Sequence, residues 1–340
     1  MKLGLVGYGF GGRWFHAPFV RASGAEITGV VARAPATVAN IRADLPDVPV
    51  FSSLGEMIAA GVCEAVTITT PPQTRVALVL EAIGAGLHVM ADKPFAYHIE
   101  DARRMITAAE ARGVVLTVFH NRRWDADLRT LAALIEQDAL GPISRVHNRM
   151  DFPSLDGLLP GPEGGLLGDL GTHIVDQMLW LLGPAEAVTA QLVDGAVPGG
   201  RTEVSFAITL RHVSGAHSHI EASKANNLFA RDLRAYGAKG AFVVQGADAQ
   251  IRAVLNGDLP VENHPAWGAE PEASWGTLHT AEGARRIPSV RTRYVEIYQA
   301  FVDAVKVGTA PPVSPESALH TVAVLNAARG SAAQGATVTL

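Results

Sequence analysis

The sequence predicts an α/β protein of two domains, with a parallel sheet in the first third of the chain and a large, mostly antiparallel sheet in the rest. Three observations support this prediction. Short apolar runs alternate with amphipathic segments up to residue 118, a glycine-rich segment follows the first apolar run, and consecutive β patterns without helices follow residue 186. A length of 340 residues also suits two domains of about 150 residues each.

The first domain is predicted to span residues 1–119. Short apolar runs bounded by turn residues are typical of buried parallel strands, and the amphipathic segments between them are typical of helices that cover both faces of a sheet. The predicted strands are residues 3–6, 27–31, 48–51, 65–69, 88–91 and 114–118. The predicted helices are residues 15–22, 37–45, 74–85 and 99–111, with a short helix from the capping pair Ser52-Ser53 to Ala60.

The second domain is predicted to span residues 120–340, because the strand–helix alternation stops near residue 119. Consecutive strands without intervening helices indicate antiparallel hairpins. The predicted strands are residues 143–152, 187–193, 203–211, 216–223, 230–236 and 240–245. The predicted helices are residues 126–135, 170–182, 293–306 and 315–333, and two segments are predicted to be irregular, the Gly/Pro-rich loop 153–168 and residues 257–292.

Composition and charge favour a folded protein that binds neither nucleic acid nor membranes. Hydrophobic residues make up 48% of the chain and the formal net charge is −5, so a large core is available and a strongly basic nucleic-acid binder is excluded, although a local basic patch stays open. Cys63 is the only cysteine, which excludes an intrachain disulfide and a cysteine metal cage. The first residues lack a signal-peptide pattern and no uncharged run of about 18 apolar residues occurs, so we expect a cytoplasmic protein.

The segment Gly7-Tyr8-Gly9-Phe10-Gly11-Gly12 matches the pattern G-x-G-x-x-G between a predicted strand and a predicted helix. In this pattern the first glycine permits a tight turn, the second lets backbone N–H groups approach a pyrophosphate, and the third lets the helix pack against the strand. The alternative is a glycine-rich turn without a ligand. The surrounding alternation favours a Rossmann dinucleotide site, with cofactor contacts from Gly7, Gly9, Phe10 and Gly12.

The end of the second strand favours NADP over NAD. An NAD site usually has an acidic residue there, about 20 residues past the glycines, that binds the ribose 2′-OH. Here the exit of the strand is Val31-Ala32-Arg33-Ala34, and the nearby acidic residue, Glu26, lies at its entering end. An arginine fork at Arg33 can bind a 2′-phosphate, whereas the alternative is a solvated surface arginine.

Several segments resemble the glucose–fructose oxidoreductase / inositol dehydrogenase / rhizopine catabolism family (Gfo/Idh/MocA), which carries Glu-Lys-Pro after its fifth strand. The segments that carry this resemblance are Asp92-Lys93-Pro94, Thr70-Pro71 and Gly168-Asp169-Leu170-Gly171-Thr172-His173. Phe15-His16-Ala17-Pro18 and Phe119-His120-Asn121-Arg122-Arg123-Trp124-Asp125 are similar to the branch with NADP-dependent scyllo-inositol dehydrogenases. The resemblance implies hydride transfer between a nicotinamide and a secondary alcohol or ketone of a cyclitol, sugar or related polyol.

The resemblance implies that Lys93, Asp169 and His173 are catalytic. Lys93 follows a parallel strand, where open α/β sheets bind ligands, and its ammonium can polarise an oxygen. Asp169 and His173 are four residues apart on a predicted helix, so a carboxylate could orient a histidine that carries protons near neutral pH. Without the resemblance, a surface lysine before a turn proline and an exposed helical pair are the alternatives.

The resemblance further implies that Thr70, Pro71 and Lys93 contact the cofactor, and that Asn121 and Arg123 face the substrate with Asp169 and His173. For Asn121 and Arg123 the alternative is a solvated linker. Other polar residues are weaker candidates: His16 could be a packed histidine, and Asp176 and Gln177 lie one turn beyond His173. His217 and His219 alternate on a strand without an evident third ligand, so no metal site is expected.

Two departures from the family concern the substrate. Arg75 stands where the family often has histidine, and the loop 153–168 lacks the arginine and tryptophan residues that the branch carries there. Both departures favour a substrate other than scyllo-inositol.

Two other functions stay open, an NADP-sensing regulator without turnover and an enzyme that uses transient oxidation for elimination or glycoside cleavage. By family analogy, the exposed face of the second sheet is predicted to form a homodimer or homotetramer.

Overall fold

The computed structural model describes residues 1–246, 248–260 and 266–340, and the chain divides into two compact units. The sequence-based boundary at residue 119 cuts the chain once, whereas the fold returns two later segments to the first unit. The first unit comprises Met1–Asn121, Ala253–Trp267 and Arg293–Leu319. The second unit comprises Arg122–Arg252, Gly268–Thr292 and His320–Leu340.

The secondary structure follows the predicted alternation closely at the start of the chain. The strands of the described residues are β1 Lys2–Val6, β2 Glu26–Val31, β3 Val50–Phe51, β4 Ala65–Ile68, β5 His88–Ala91, β6 Leu116–Val118, β7 Ile143–Asp151, β8 Ala185–Val197, β9 Gly200–His212, β10 His217–Ser223, β11 Ala230–Gly237, β12 Gly240–Gln245, β13 Gly276–Thr280, β14 Gly283–Ile287 and β15 Val338–Thr339. The helices are α1 Ala17–Ala22, α2 Pro35–Asp44, α3 Leu54–Ala59, α4 Pro72–Gly84, α5 Ile99–Arg112, α6 Ala126–Glu136, α7 Thr172–Leu182, α8 Ala249–Leu255, α9 Val295–Val307 and α10 Pro315–Gln334.

The first unit contains a parallel sheet in the order β3-β2-β1-β4-β5-β6, formed by the strands described above. This confirms the predicted Rossmann architecture. The strand order reverses between β1 and β4, and in open α/β sheets this switch point marks the ligand-binding edge. The returning helix α9 packs on α1, where the ring of Tyr294 lies 5.7 Å from the ring of Phe19.

The second unit contains a sheet in the order β14-β13-β12-β11-β7-β10-β9-β8-β15. Its pairs are antiparallel except for β7 and β10, which run parallel, so the predicted mostly antiparallel sheet is confirmed. One face is buried, with Val146, Ile220 and Leu233 in a single apolar cluster that includes residues of α6 and α7. The alternation of buried and exposed residues along β10 leaves the other face open.

The prediction that residues 257–292 are irregular is wrong for the hairpin of β13 and β14, while residues 261–265 lie outside the described part of the chain. Strand β14 is exposed at four of its five positions and lies at the edge of the sheet. An edge strand with little buried surface needs no apolar alternation, so its sequence carries little strand signal. The same reasoning applies to the two-residue edge strand β15.

Among the described residues, each helix is too short or too polar to cross a membrane. Two helical turns beside α-helices have π-helical geometry. The turn Gly11–His16 before α1 and the turn Leu167–Gly171 before α7 are both π-helical. Both lie in segments that the sequence singled out, and π-helical turns occur frequently at functional sites.

A buried carboxylate, Asp248, caps the start of α6 in the second unit. Its Oδ2 accepts a hydrogen bond of 2.7 Å from the backbone of Ala126, and its Oδ1 accepts one of 2.8 Å from the backbone of Gln250. Arg231 lies 2.8 Å from Asp127 and 4.0 Å from Asp125, so the cations here pair with other carboxylates. Burial, followed by repulsion from Asp125, therefore raises the pKa of Asp248 to about 8.

In the wild type the free energy of unfolding should decline as the pH rises, and we expect Asp248→Asn to remove this decline. The raised pKa means that the folded protein holds a proton that the unfolded chain releases near its ordinary pKa of 3.8. The resulting stabilisation is fully present below about pH 4 and is lost as the pH rises through about 8. Urea unfolding at several pH values should show the free energy of unfolding shifting in favour of the variant, by at most roughly 1.4 kcal/mol per pH unit for one proton.

The matched control is Asp47→Asn, which neutralises an exposed carboxylate and should leave the pH slope of the wild type unchanged. Parallel pH slopes for the wild type and Asp248→Asn would contradict the expectation. Comparing slopes rather than absolute values is necessary, because asparagine at this position also weakens one of the two backbone hydrogen bonds.

Candidate active site

The glycine-rich loop between β1 and the π-helical turn has the geometry that a dinucleotide requires. Gly7 has φ +104° and donates its N–H to Val31 O at 3.0 Å. A Cβ on Gly12 would lie only 2.6 Å from the Gly7 carbonyl oxygen, whereas a Cβ on Gly9 would meet no described atom within 4 Å. The first and third glycines are therefore required by the turn and the packing, and the second leaves an open backbone surface that suits a pyrophosphate.

The end of β4 is fastened to this loop. Thr69 Oγ1 donates a hydrogen bond of 3.0 Å to the Gly7 carbonyl. The next residue is Thr70, whose Oγ1 accepts a hydrogen bond of 2.8 Å from the hydroxyl of Thr74. Thr70 precedes Pro71, the N-cap residue of α4. Thr70 and Pro71 therefore lie one and two residues beyond a contact with the glycine loop, while Phe10 on that loop is 64% exposed.

Arg33 follows β2 and is exposed. Its Nε donates a hydrogen bond of 2.9 Å to Ser52 O, which fixes the guanidinium at the carboxyl edge of the sheet. Sequence reasoning missed a nearby carboxylate, Glu56. Hydrogen bonds from the hydroxyl and the N–H of Ser52, aided by the charge of Arg33, lower the pKa of Glu56.

The Asp92-Lys93-Pro94 turn follows β5 and contains a cis peptide bond between Lys93 and Pro94. The Lys93 N–H donates a hydrogen bond of 2.7 Å to Asp92 Oδ1. Burial favours the neutral form of Asp92, but His16, Arg75 and Lys93 outweigh it and lower the pKa of Asp92 to about 2. Asp92 is therefore a carboxylate at neutral pH, and its Oδ2 is 3.5 Å from the position of a Cβ on Gly11 in the glycine loop.

Arg75 has a structural role in this turn, which corrects the expectation that it lies where substrate is recognised. The side chain is 2% exposed and points into the first unit. Its Nη1 donates a hydrogen bond of 2.5 Å to Pro94 O, and its Nη2 donates one of 2.9 Å to Thr70 O. Burial lowers the pKa of Arg75, with Asp92 opposing the shift. A guanidinium with two backbone carbonyls can hold the lysine turn against α4, which sequence spacing alone did not indicate.

In the second unit, Asp169 lies on the π-helical turn Leu167–Gly171 and His173 lies on α7. The expectation of one regular helix across both residues is wrong, because the π-helical turn carries more residues than an α-helical turn. His173 is 8% exposed, and the neighbouring apolar residues Leu170, Ile174 and Met178 are buried. The catalytic roles of Asp169 and His173 remain predictions.

Asp169 forms an ion pair with Lys224, a residue that sequence reasoning missed. Lys224 Nζ lies 3.1 Å from Asp169 Oδ2 and donates 2.8 Å to the carbonyl oxygen of Asp156 in the loop 153–168. The lysine directly follows β10, so a polar residue just past a strand was the available signal. It connects the predicted catalytic carboxylate to the loop that the sequence associates with substrate choice.

Arg123 and Asp176 form a bidentate ion pair within the second unit. The Arg123 Nε and Nη2 atoms lie 2.8 Å and 2.6 Å from the Asp176 carboxylate, and both side chains are almost fully buried. Gln177 is buried as well and donates 2.7 Å to the carbonyl oxygen of Arg122. These contacts hold Arg122 and Arg123 against α7, and the neighbouring Asn121 is also buried. Substrate contact by Asn121 and Arg123 stays a prediction.

Comparison with known proteins places both halves of the chain in one family. Residues 1–120 match the GFO/IDH/MocA model described as an oxidoreductase family with an NAD-binding Rossmann fold, and residues 128–243 match the GFO/IDH/MocA C-terminal domain. The chain is 29% identical to the scyllo-inositol 2-dehydrogenase (NADP(+)) IolW of Bacillus subtilis, over 100% of this chain and 96% of that protein.

Two further relatives match along their whole length. The oxidoreductase YdgJ of Escherichia coli is 30% identical, over 100% of this chain and 99% of that protein. The solved structure of the oxidoreductase yvaA from Bacillus subtilis superimposes with a TM-score of 0.91 at 29% identity, over 100% of this chain and 98% of that chain.

We expect Lys224→Met to release the loop 153–168. Methionine keeps the apolar stem but removes the ammonium that bridges Asp169 and the Asp156 carbonyl oxygen. Hydrogen exchange measured by mass spectrometry should become faster in peptides of this loop and stay unchanged in β10. The control is Lys239→Met, which removes an exposed lysine paired with Asp138. Identical exchange of the loop in the wild type and Lys224→Met would refute the bridging role.

Proposed function

The chain belongs to the GFO/IDH/MocA oxidoreductase family, and we propose that it transfers a hydride between NADP and a secondary alcohol or ketone of a cyclitol, sugar or related polyol. The observation that carries the proposal is the closeness of the glycine loop and the lysine turn within the first unit. Asp92, the neighbour of Lys93, abuts Gly11, so a lysine lies beside the loop whose open backbone suits a dinucleotide.

Gly7, Gly9, Phe10 and Gly12 would hold the dinucleotide at its pyrophosphate, and Thr70 and Pro71 would border it at the end of β4. When bound, the cofactor supplies the hydride acceptor or donor of the reaction. Arg33 would receive the 2′-phosphate, because its Nε is fixed on Ser52 O and the described residues accept no hydrogen bond from its Nη atoms. This supports NADP over NAD, as does the named cofactor of the Bacillus subtilis relative.

The protein's own groups would handle the proton and the developing charge. In the oxidation direction His173 would accept the hydroxyl proton, and the Lys93 ammonium would stabilise negative charge on the reacting oxygen. Asp169 would orient the site. Asn121 and Arg123 would complete the substrate contacts, with Arg123 held by Asp176. The named substrate of the Bacillus subtilis relative supports a cyclitol or a similar polyol, while the loop 153–168 favours one that is smaller or less polar than scyllo-inositol.

We also propose that the enzyme acts in the cytoplasm as a homodimer or homotetramer. The support for self-association is the open face of the second sheet, opposite α6 and α7. Aromatic and basic side chains line it, with the rings of His147 and His219 at 4.7 Å and Arg145 over the ring of Tyr236 at 4.3 Å. The partner on this face would be a second copy of the chain.

A polyol and sugar screen that follows NADPH absorbance with both cofactors tests the proposed reaction, and the best substrate then tests the catalytic residues. Lys93→Ala and His173→Ala should each lower kcat by about 10²–10⁴, the usual contribution of acid–base help. Cofactor affinity should change much less. Lys239→Ala, at an exposed position in the turn between β11 and β12, is the control. Near-normal kcat in both variants would refute the assignment.

The same screen separates the other functions. Cofactor binding without turnover of any substrate would favour a sensing role. Substrate consumption without accumulation of NADPH would favour elimination or glycoside cleavage through transient oxidation.

The cofactor preference has its own test at Arg33 and Glu56. A charged hydrogen bond contributes roughly 1.5–3 kcal/mol, so NADP should bind about ten- to a hundredfold tighter than NAD. Arg33→Ala should erase most of this difference and leave NAD binding almost unchanged. Glu56→Gln should widen the difference, because it removes a negative charge beside Arg33. Added salt should narrow the difference in affinity between NADP and NAD in the wild type, because it screens the charge of Arg33.

Titration calorimetry of both cofactors into the wild type and the variants measures these affinities. Arg42→Ala, at an exposed position on α2, controls for the loss of positive charge. Equal affinities for NADP and NAD in the wild type, or an equal loss of affinity for both cofactors in Arg33→Ala, would contradict the NADP assignment.

A further inference from the structure

A buried chain of polar groups runs through the first unit and ends at the lysine turn. The Tyr298 hydroxyl lies 3.3 Å from Thr67 Oγ1 on β4 and 2.6 Å from His16 Nδ1. The other ring nitrogen, His16 Nε2, lies 3.5 Å from Asp92 Oδ2. Four side chains from four separate segments therefore connect α9 with the residue that precedes Lys93.

Burial of these polar groups has a free-energy cost, because they lose their hydrogen bonds to water. Thr67 and Tyr298 are 0% exposed and His16 is 1% exposed, with its ring packed 4.2 Å from the ring of Phe119. An aromatic hydrocarbon in place of His16 would fill this site without desolvating two ring nitrogens. Burial also raises the pKa of the Tyr298 hydroxyl, so it stays a neutral hydrogen-bonding group. Packing alone thus does not explain a histidine here.

The carboxylate of Asp92 links this chain to Lys93. Its Oδ2 faces His16, and its Oδ1 accepts the N–H of Lys93 at 2.7 Å. On the other side of the turn, Arg75 holds the Pro94 carbonyl oxygen at 2.5 Å. The main chain of Lys93 is thereby held on both flanks, and the hold on the Asp92 flank depends on where His16 keeps the carboxylate.

His16 also connects this turn to the nucleotide loop. It is the last residue of the π-helical turn Gly11–His16, which begins at the G-x-G-x-x-G segment. A regular α-helical turn from Gly11 would place residue 16 at a different angle around the helix axis. The π-helical turn thus sets the direction from which the imidazole meets Asp92.

We propose that His16 and Tyr298 are positioning residues that lock the Asp92 carboxylate and, through it, the backbone of Lys93 beside the glycine loop. The link to turnover rests on the proposed role of Lys93, whereas the structural coupling does not. Loss of the lock leaves Lys93 present but less precisely placed, so kcat should fall while substrate KM and the cofactor dissociation constant change little. Misplacing a catalytic group by about 1 Å can cost on the order of a hundredfold in rate.

Tyr298→Phe provides the mildest test, because it removes one oxygen and keeps the ring. Tyr294→Phe is the matched control, since it removes a second buried tyrosine hydroxyl from the same unit, on a ring that packs against Phe19. In the full chain without ligands, NMR should show the Lys93 amide exchanging about tenfold faster in Tyr298→Phe than in Tyr294→Phe. Thermal midpoints of the two variants report how much general stability each has lost.

Turnover gives the second readout. Tyr298→Phe should lower kcat about tenfold with little change in KM, and His16→Phe should lower it further. Asp92→Glu, which restores the acidic residue that the family carries before its lysine, should retain more kcat than Asp92→Asn. A merely structural role would reduce stability in all variants without this ordering.

The proposal is overturned if the Lys93 amide exchanges at the same rate in Tyr298→Phe and Tyr294→Phe, or if Asp92→Asn matches Asp92→Glu in kcat. The failure of the proposed function would look different. In that case no substrate would be turned over, or Lys93→Ala would keep full turnover, while the exchange of the Lys93 amide would still respond to Tyr298→Phe.

Discussion

The close approach of Gly12 to the carbonyl group of Gly7 is the constraint on which the first unit depends. Any side chain at residue 12 would lie 2.6 Å from that oxygen, so the helical turn can pack against β1 only with glycine there. The same oxygen accepts the hydroxyl of Thr69, which fastens the end of β4 to the loop. One π-helical turn later, His16 arrives at Asp92. This backbone contact is therefore connected to the end of β4 through Thr69 and to the lysine turn through His16.

Two carboxylates, Asp92 in the first unit and Asp248 in the second, differ in the direction of their pKa shifts. Asp92 has His16, Arg75 and Lys93 around it, and its interactions with them outweigh burial and keep the carboxylate ionised. Asp248 has Asp125 as its main charged neighbour, so burial and repulsion favour its protonated form. The sign of the neighbouring charges separates the two groups, because both accept backbone N–H donors and burial alone would raise the pKa of each.

Several candidate site residues could be predicted from the sequence because the patterns that mark them are local. The glycine pattern depends on neighbours within six positions, and Arg33 and Lys93 each follow a strand whose apolar run is evident. Arg75, Lys224 and His16 were beyond reach, since their partners lie 5 to 282 residues away and on other elements. The edge hairpin of β13 and β14 was missed for a related reason: exposed edge strands need no apolar alternation.

The sequence by itself determined the order of strands and helices in the first unit, the nucleotide loop and the membership of both halves in one oxidoreductase family. These features follow from short-range patterns, since a buried strand must be apolar and a tight turn beside a helix must be glycine. Only the tertiary structure decided that Arg75 supports a backbone turn, that Asp169 pairs with Lys224, and that His16 meets both Tyr298 and Asp92. The partner of a polar side chain is set by which segments the fold brings within about 3 Å, and spacing along the chain does not encode that distance.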